Sequence, residues 1–398
     1  MKLLVFNHHF GSEYLGMEFR TYNYCKELQK YECEILISTA TYSHLRRINF
    51  VHRKWFKFEN HLGLNLAVVK TINYGRSIFL RFIAIIQFIL INILKIRVYI
   101  RFRPDVIICS STYPFDFFLA KLISLFTKSR IVFELHDLWP LSLTEQNRRI
   151  PKVILIFLDF LDRKVLALCD GYISTLENSE HYLRSRGLRT SNYVYLPNAF
   201  DIVQIEFEDP NTSNNIRKCK NIKVGYAGSF EKSNALEVLL EIAAECPKVD
   251  FLLIGDGTCF PELSDIVRMR DLGNVKLMGK LPYRETLINL KSCDILYAGM
   301  NFSTVHQYGI GMNKLLSYYA LDKFVILQAN ITNHEIVNFD LGKIFPSDEK
   351  YLVVEFLNNV ERKFLNDFEI KKRGSSFLKS HRNLNKLSLD YYKFLKKL

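Results

Sequence analysis

The stretch KVGYAGSFEK (residues 223–232) runs from an apolar strand-like segment into a glycine-serine turn, and NALEVLLEIAA (residues 234–244) follows with helical spacing of its apolar residues. Strand, small-residue turn and helix, in that order, form the repeating unit of a parallel sheet covered on both faces. Downstream, 250–254 reads as a strand ending in Gly255-Asp256-Gly257, 260–270 as a helix, and 275–278, 295–298 and 324–328 as further strands. Upstream, a strand over 3–8, a loop bearing Gly11 and Gly16, and a helical pattern over 18–30 open the chain. Strands over 34–39, 105–111, 130–136, 171–174 and 193–196 then alternate with helices over 115–126, 153–168 and 179–186. DPNTSNN (209–215) has the composition of a linker. The pattern predicts an α/β protein of two doubly wound, Rossmann-like parallel-sheet domains, residues 1–200 and 217–383. Ligands are expected in a cleft where the two sets of strand C-termini face each other.

Length agrees, since 398 residues exceed what a single core usually holds. A net charge of +13 suits a polyanionic partner. No zinc-finger, helix-turn-helix or RNA-recognition pattern accompanies it, and the basic residues are dispersed, so no nucleic acid is expected. An anionic membrane surface or a phosphorylated substrate accounts for the charge. Cys25, Cys33, Cys109, Cys169, Cys219, Cys246, Cys259 and Cys293 have no metal-ligand spacing and read as reduced core residues. The opening MKLLVFNHH turns polar too early for a signal peptide, which predicts a cytoplasmic protein.

The most apolar segment is FLRFIAIIQFILINILKI, residues 79–96. At 100° per residue Ser77, Arg81, Asn92 and Lys95 share one arc, leaving a broad apolar face with Arg76, Arg97, Arg101 and Arg103 at its ends. That predicts a helix lying on the inner face of an anionic membrane or, equally, one packed in the first core, rather than a span.

Three segments carry candidate chemistry. Phe133–Pro140, FELHDLWP, puts His136 and Asp137 where a strand emerges, suited to bonding a sugar hydroxyl or a carbonyl, or to capping the next turn. In the 223–232 segment Gly228 permits close approach of a ligand, and Lys232 supplies charge beside a helix start. GIGMNK (309–314) again sets glycines and a lysine before a helix, with Asn313 alternatively its N-cap. No P-loop, G-x-S-x-G or H-E-x-x-H motif is present, which argues against an NTPase, a serine hydrolase or a zinc protease.

Together with NHHFGSEYLGMEFR (7–20), YSHLR (42–46), YLPN (195–198), GYAG (225–228), NAL (234–236), LIGDG (253–257) and YGIGMNK (308–314), these segments resemble family 4 of the GT-B glycosyltransferases, in particular the subgroup building bacterial O-antigen and capsule. The resemblance implies transfer of a sugar from a nucleotide-sugar donor to an undecaprenyl-diphosphate-linked or oligosaccharide acceptor, with retention and without a metal or other cofactor. It places the acceptor in the first domain, with Glu18, Arg20, His44 and Trp139, and His136 and Asp137 as catalytic residues. The donor is implied in the second domain, at Gly228, Ser229, Lys232, Gly255, Gly257, Lys280, Leu281, Gly309, Gly311, Asn313, Lys314 and Ser317, with Gly11 and Gly16 facing its phosphates. Ser229 stands where an arginine is common, and Gly309 and Ser317 where the family carries glutamates; Asn313 and Lys314 are expected to take over. The segment 384–398 is expected to cross back onto the first domain. A nucleotide-sugar 2-epimerase and a catalytically silent, glycosyltransferase-like scaffold are the alternatives.

Overall fold

The structure, a computed structural model, describes residues 1–16, 19–75, 77–138, 141, 151–201, 221–331 and 334–398. The 209–215 run, Arg76, Cys219, Glu18 and Trp139 lie outside them. Two compact units result: Met1–Ala199 with Leu384–Leu398, and Phe200–Asn383.

The first unit contains β1 (Lys2–Phe6), α1 (Phe19–Gln29), β2 (Glu34–Ala40), β3 (Phe56–His61), β4 (Leu64–Val69), α2 (Ile78–Leu94), α3 (Ile96–Phe102) and β5 (Val106–Cys109). It continues through α4 (Phe115–Thr127), β6 (Arg130–Leu135), α5 (Lys152–Leu168), β7 (Gly171–Ser174), α6 (Glu180–Ser185) and β8 (Tyr193–Tyr195). The sheet order is β3-β4-β2-β1-β5-β6-β7-β8. Seven strands are parallel; β3 is antiparallel to β4, an edge hairpin that the strand pattern did not predict. Strand order reverses between β1 and β5, the switch point at which sheets of this type open a crevice beyond their carboxyl ends.

The second unit follows with β9 (Ile222–Ala227), α7 (Leu236–Glu245), β10 (Val249–Ile254), α8 (Phe260–Met269), β11 (Val275–Leu277), α9 (Tyr283–Lys291) and β12 (Ile295–Gly299). It ends with α10 (Asn313–Ala320), β13 (Phe324–Gln328), α11 (Glu335–Asn338), β14 (Gly342–Phe345), α12 (Lys350–Asn359), α13 (Arg362–Ile370) and α14 (Arg373–His381). Its six strands are all parallel, in the order β11-β10-β9-β12-β13-β14, which is the doubly wound 3-2-1-4-5-6 arrangement. β14 is a further strand absent from the sequence reading.

Helix α15 (Leu384–Lys397) packs on α1 in the first unit, burying Leu387, Tyr391 and Leu395 against the core that holds Leu3, Leu28 and Ile35. Gly171 on β7 receives it: a Cβ there would lie 2.9 Å from Leu398 and 3.0 Å from Phe394.

The 79–96 segment departs from the expected pattern. The helix breaks at Lys95 and turns by 59° into α3. Asn92, placed by periodicity on the polar arc, is fully buried and accepts from Ser38 Oγ at 2.9 Å and from the Tyr99 hydroxyl. Ala84, Phe88 and Ile91 face the core with it, while Phe79, Phe82, Ile83, Ile86, Leu90 and Ile93 face outward. Asn92 is tolerated inside because it finds partners there. The described residues include no single helix long and apolar enough to cross a membrane.

Leu395, 2% exposed, fixes the returning helix. Leu395→Ala should lower the unfolding free energy of the first unit by about 3 kcal/mol, as buried leucine truncations do. Urea denaturation followed by the fluorescence of Trp55 would read this, and an unchanged midpoint would show that the helix is not part of that core.

Candidate active site

In the first unit the carboxyl ends of β1, β5 and β6 bring Asn7, Ser110, Glu134 and His136 together. Glu134 sits on a strand that after Arg130 is otherwise built from Ile, Val, Phe and Leu, and its carboxylate is 4% exposed. Burial alone would push its pKa up, but the Arg20 guanidinium 3.3 Å away, with His136, holds it well below the usual carboxylate range. Ser110 donates to Glu134 Oε1 at 2.7 Å, and the Tyr391 hydroxyl of α15 donates to Oε2 at 3.5 Å. Arg20 also donates to the Pro197 carbonyl at 2.8 Å and to Asn198 Oδ1 at 3.3 Å. His136 lies at the open end, its ring 15% exposed, with Nε2 at 3.1 Å from Ser110 Oγ and 3.3 Å from Glu134 Oε1. Ser111, Thr112, Tyr113, His136 and Asp137 line a cleft beside it.

Of the residues expected here, His136 holds its predicted place at the strand end, and Asp137 follows it, exposed. Arg20 does not line the cleft: it is an internal brace, because its charge is satisfied by Glu134 and by main chain. His44 is bonded to the Tyr74 hydroxyl at 2.9 Å, and partial desolvation of its ring, with the Arg81 charge, lowers its pKa to about 4. Gly11 is buried, and Gly16 takes φ +85° against the Arg47 backbone, so the protein's own turn requires that glycine.

In the second unit, Lys314 reaches from the first turn of α10 to the Gly228 turn. Its ammonium donates to Asn234 Oδ1 at 2.7 Å and to Tyr226 Oη at 3.1 Å, and lies 4.5 Å from the Tyr226 ring centroid. Among the described residues no carboxylate pairs with it, and burial lowers its pKa to about 7. A Cβ on Gly228, which has φ +153°, would stand 3.1 Å from Nζ. Asn234 also donates to the Ser229 carbonyl and hydroxyl, at 3.0 and 3.1 Å, so Ser229 and Lys314 share one bracket.

The remaining expected donor residues separate. A short 3₁₀ turn and left-handed Ala235 precede α7, which therefore begins two residues later than predicted, and Lys232 is exposed. Gly255 and Gly257 have an internal reason to be glycine: added Cβ atoms would meet the Gly228 carbonyl at 1.8 Å and the Phe230 carbonyl at 2.5 Å. Leu281 packs on a core cluster and Lys280 is exposed. Met312, not Asn313, is the cap residue of α10, and Asn313 opens its first turn. Gly309 ends a 3₁₀ turn at φ +121°, Gly311 is exposed before α10, and Ser317 Oγ lies 3.1 Å from the Tyr283 hydroxyl.

Residues 14–204 match Glycosyltransferase Family 4. The first domain is similar to that family over this range. The fold of the whole glycosyltransferase is GT-B: Anabaena HepE in complex with UDP and glucose aligns over all of both chains with a TM-score of 0.70 at 14% identity. Sucrose-phosphate synthase from Thermosynechococcus elongatus aligns with a TM-score of 0.75 at 12% identity, over 100% of this chain and 98% of its own. The apo lipopolysaccharide outer core galactosyltransferase WaaB reaches 0.59 at 13% identity, over 95% and 99%. No curated protein sequence matches.

Glu134, Ser110, Tyr226 and Asn234 carry the glycosyltransferase's polar networks but were not singled out in the sequence. One signal existed: a glutamate inside an otherwise apolar parallel strand must be paired.

Lys314 makes stability depend on pH. Its folded pKa of about 7 lies below its unfolded value. Above about pH 7 the unfolded chain therefore binds a proton that the folded lysine does not, and stability rises with pH up to the unfolded pKa. Below about 7 the penalty of the charged lysine is fully present. Lys314→Met should flatten that slope and raise stability at pH 6.5, as measured by urea denaturation at pH 6.5 and 9; an unaltered slope would assign it to another group.

Proposed function

We propose that the glycosyltransferase moves a sugar from a nucleoside diphosphate sugar, held by the second domain, to a lipid-linked or oligosaccharide acceptor held by the first. The observation that carries this reading is the Lys314 ammonium, largely removed from water, without a carboxylate among the described residues, beside a glycine whose missing side chain leaves space. Such a cation is costly alone and is offset by an anion, and a diphosphate is the anion that leaves in this reaction. The N-terminal amides of α10, whose first turn has no side-chain cap, add to the same end. The likeness to HepE, described with UDP and glucose, supports a uridine nucleotide among the donors to test first.

On this reading transfer proceeds with retention and without a metal. Charge growing on the departing phosphate is met by Lys314 and the α10 amides, while that phosphate helps deprotonate the acceptor hydroxyl. His136 bonds a sugar hydroxyl, and Asp137 follows at the same strand end. Assembly of a surface polysaccharide such as O-antigen or capsule is the proposed setting, consistent with the likeness to WaaB.

A peripheral place on the inner face of an anionic membrane suits a lipid-linked acceptor. Right-handed crossovers put α4 and α5 on one face of the first sheet, and α2 and α3 pack against α4 there. Phe79 on α2, Leu125 on α4, and Val153 and Ile156 on α5 are each at least 70% exposed, with Lys121, Lys128, Lys152 and Arg101 exposed on the same helices or on α3. Apolar side chains flanked by basic ones match an anionic lipid surface, which adds roughly 1 kcal/mol per basic residue near it.

Two measurements test these readings. A panel of nucleotide sugars should contain one that raises the melting temperature and supports transfer to a saccharide acceptor. His136→Ala and Lys314→Ala should each abolish that transfer with circular dichroism unchanged; full turnover in both would remove the site assignment, and conversion of a donor without acceptor would favour an epimerase. Separately, the protein should sediment with vesicles containing phosphatidylglycerol and less with phosphatidylcholine alone. Phe79→Ser with Ile156→Ser should release it, and equal sedimentation of the variant would exclude this face.

A further inference from the structure

The outer edge of β3 presents main-chain groups in a definite phase. β3 ends the eight-stranded sheet and, among the described residues, pairs with β4 alone. Their hairpin closes through Leu62 at φ +51° and Gly63 at φ +85°, a two-residue turn of type I′, so His61 and Leu64 form the closing hydrogen-bonded pair. Such pairs recur at every second residue of an antiparallel ladder, and at the far end the Trp55 carbonyl accepts from the Lys70 amide at 2.9 Å, in the same phase. Trp55, Lys57, Glu59 and His61 therefore turn their main chain toward β4, while Phe56, Phe58 and Asn60 turn theirs outward. The strand carries neither a proline nor a bulge, two of the devices that keep an edge from pairing.

The side chains of this strand are self-complementary about Phe58. Lys57 and Glu59 flank it on the opposite face of the sheet and pair with each other at 2.8 Å, and the Phe58 ring is 56% exposed. When a second β3 runs antiparallel along the outer edge, outward main chain must meet outward main chain, so even-numbered residues oppose even-numbered ones. Setting Phe56 opposite the second copy's Phe58 brings the two Lys57 side chains together. Setting Phe58 opposite the second copy's Asn60 does the same for Glu59, and like charges directly opposite are destabilising. The register with Phe58 opposite Phe58 instead places Lys57 opposite Glu59 twice, joins two exposed aromatic rings and overlaps the strands from Phe56 to Asn60. It makes about six main-chain hydrogen bonds. A lysine ordinarily guards an edge strand, but here each Lys57 has one Glu59 beside it and gains a second across the contact.

We propose that the β3 edge is a homodimer interface, at which a second copy of this chain adds its own β3 antiparallel, about a twofold axis through Phe58, and the two sheets become continuous. An axis perpendicular to the sheet keeps each face on its own side. The Phe56 ring lies 6.4 Å from that of Tyr99 on α3, so the even-numbered residues mark the face covered by α3, and both copies carry that face on the same side of the joined sheet. The exposed residues of α2, α4 and α5 proposed to meet lipid lie on other elements and are left uncovered by the contact, which does not depend on that proposal.

Sedimentation velocity of the full chain from about 1 to 100 µM should show a monomer–dimer equilibrium that shifts to dimer with concentration by mass action. Phe58→Asp sets two carboxylates opposite each other and should weaken association at least about tenfold, with the melting temperature unchanged because the ring is more than half exposed. Lys57→Glu and Glu59→Lys should each weaken it as well. The double variant Lys57→Glu with Glu59→Lys should restore wild-type association, because it exchanges the members of each cross-strand pair, and this rescue keeps the test valid if Phe58→Asp does not fold. A chain that is monomeric throughout would leave the edge to another occupant and overturn the proposal. So would a dimer that Phe58→Asp leaves intact, or one weakened by the single charge changes and not restored by the double exchange.

Discussion

The first domain depends on the ion pair between Arg20 and Glu134. Both groups are almost wholly removed from water, and a buried charge that loses its partner costs about 3–5 kcal/mol. Arg20 Nη1 donates to Pro197 and Asn198, at the turn where the chain leaves the domain, and Tyr391 of α15 comes to the same carboxylate. One interaction therefore joins the first helix, a central strand, the exit turn and the returning C-terminal helix. Those four pieces are far apart in sequence, and the hydrophobic packing that brings them near is not directional. The ion pair and its hydrogen bonds are, and they specify how the pieces are set.

The second domain handles charge in the opposite way. Among the described residues Lys314 has two neutral partners and an aromatic face but no carboxylate, so its charge is tolerated rather than offset. A compensated charge such as Glu134 is suited to hold geometry, since it gains little from a further partner. An uncompensated one is suited to bind, since the penalty it carries is recovered when an anion arrives. The two domains thus differ in how each buried charge is paired among the described residues: Glu134 is compensated by an arginine, and Lys314 meets only neutral groups.

Much of the fold was legible in the sequence because strand and helix periodicities are local. The β/α alternation follows from apolar spacing, as do the strands 171–174 and 324–328, whereas the return of the last helix was implied by the family resemblance. The β3 hairpin was missed because FKFENH alternates with charges and lacks the continuous apolar run of a buried parallel strand; it forms only because β4 offers an edge. Asn92 was placed on the wrong face because helical projection counts polar residues as outward, while Ser38 and Tyr99, distant in sequence, supply partners inside.

The site divides along the same line. Residue type and position determined by themselves that His136 ends a strand and that a lysine opens α10, since both are matters of local order along the chain. Only the tertiary structure decided that Arg20 is a brace, that Gly255 and Gly257 make room for the Gly228 turn, and that Lys314 rather than Lys232 stands beside Gly228. The physical reason is the range of the interactions. Periodicity acts over a few residues, whereas the partners of a buried charge lie 80 and 88 positions away for Lys314 and 114 for Arg20.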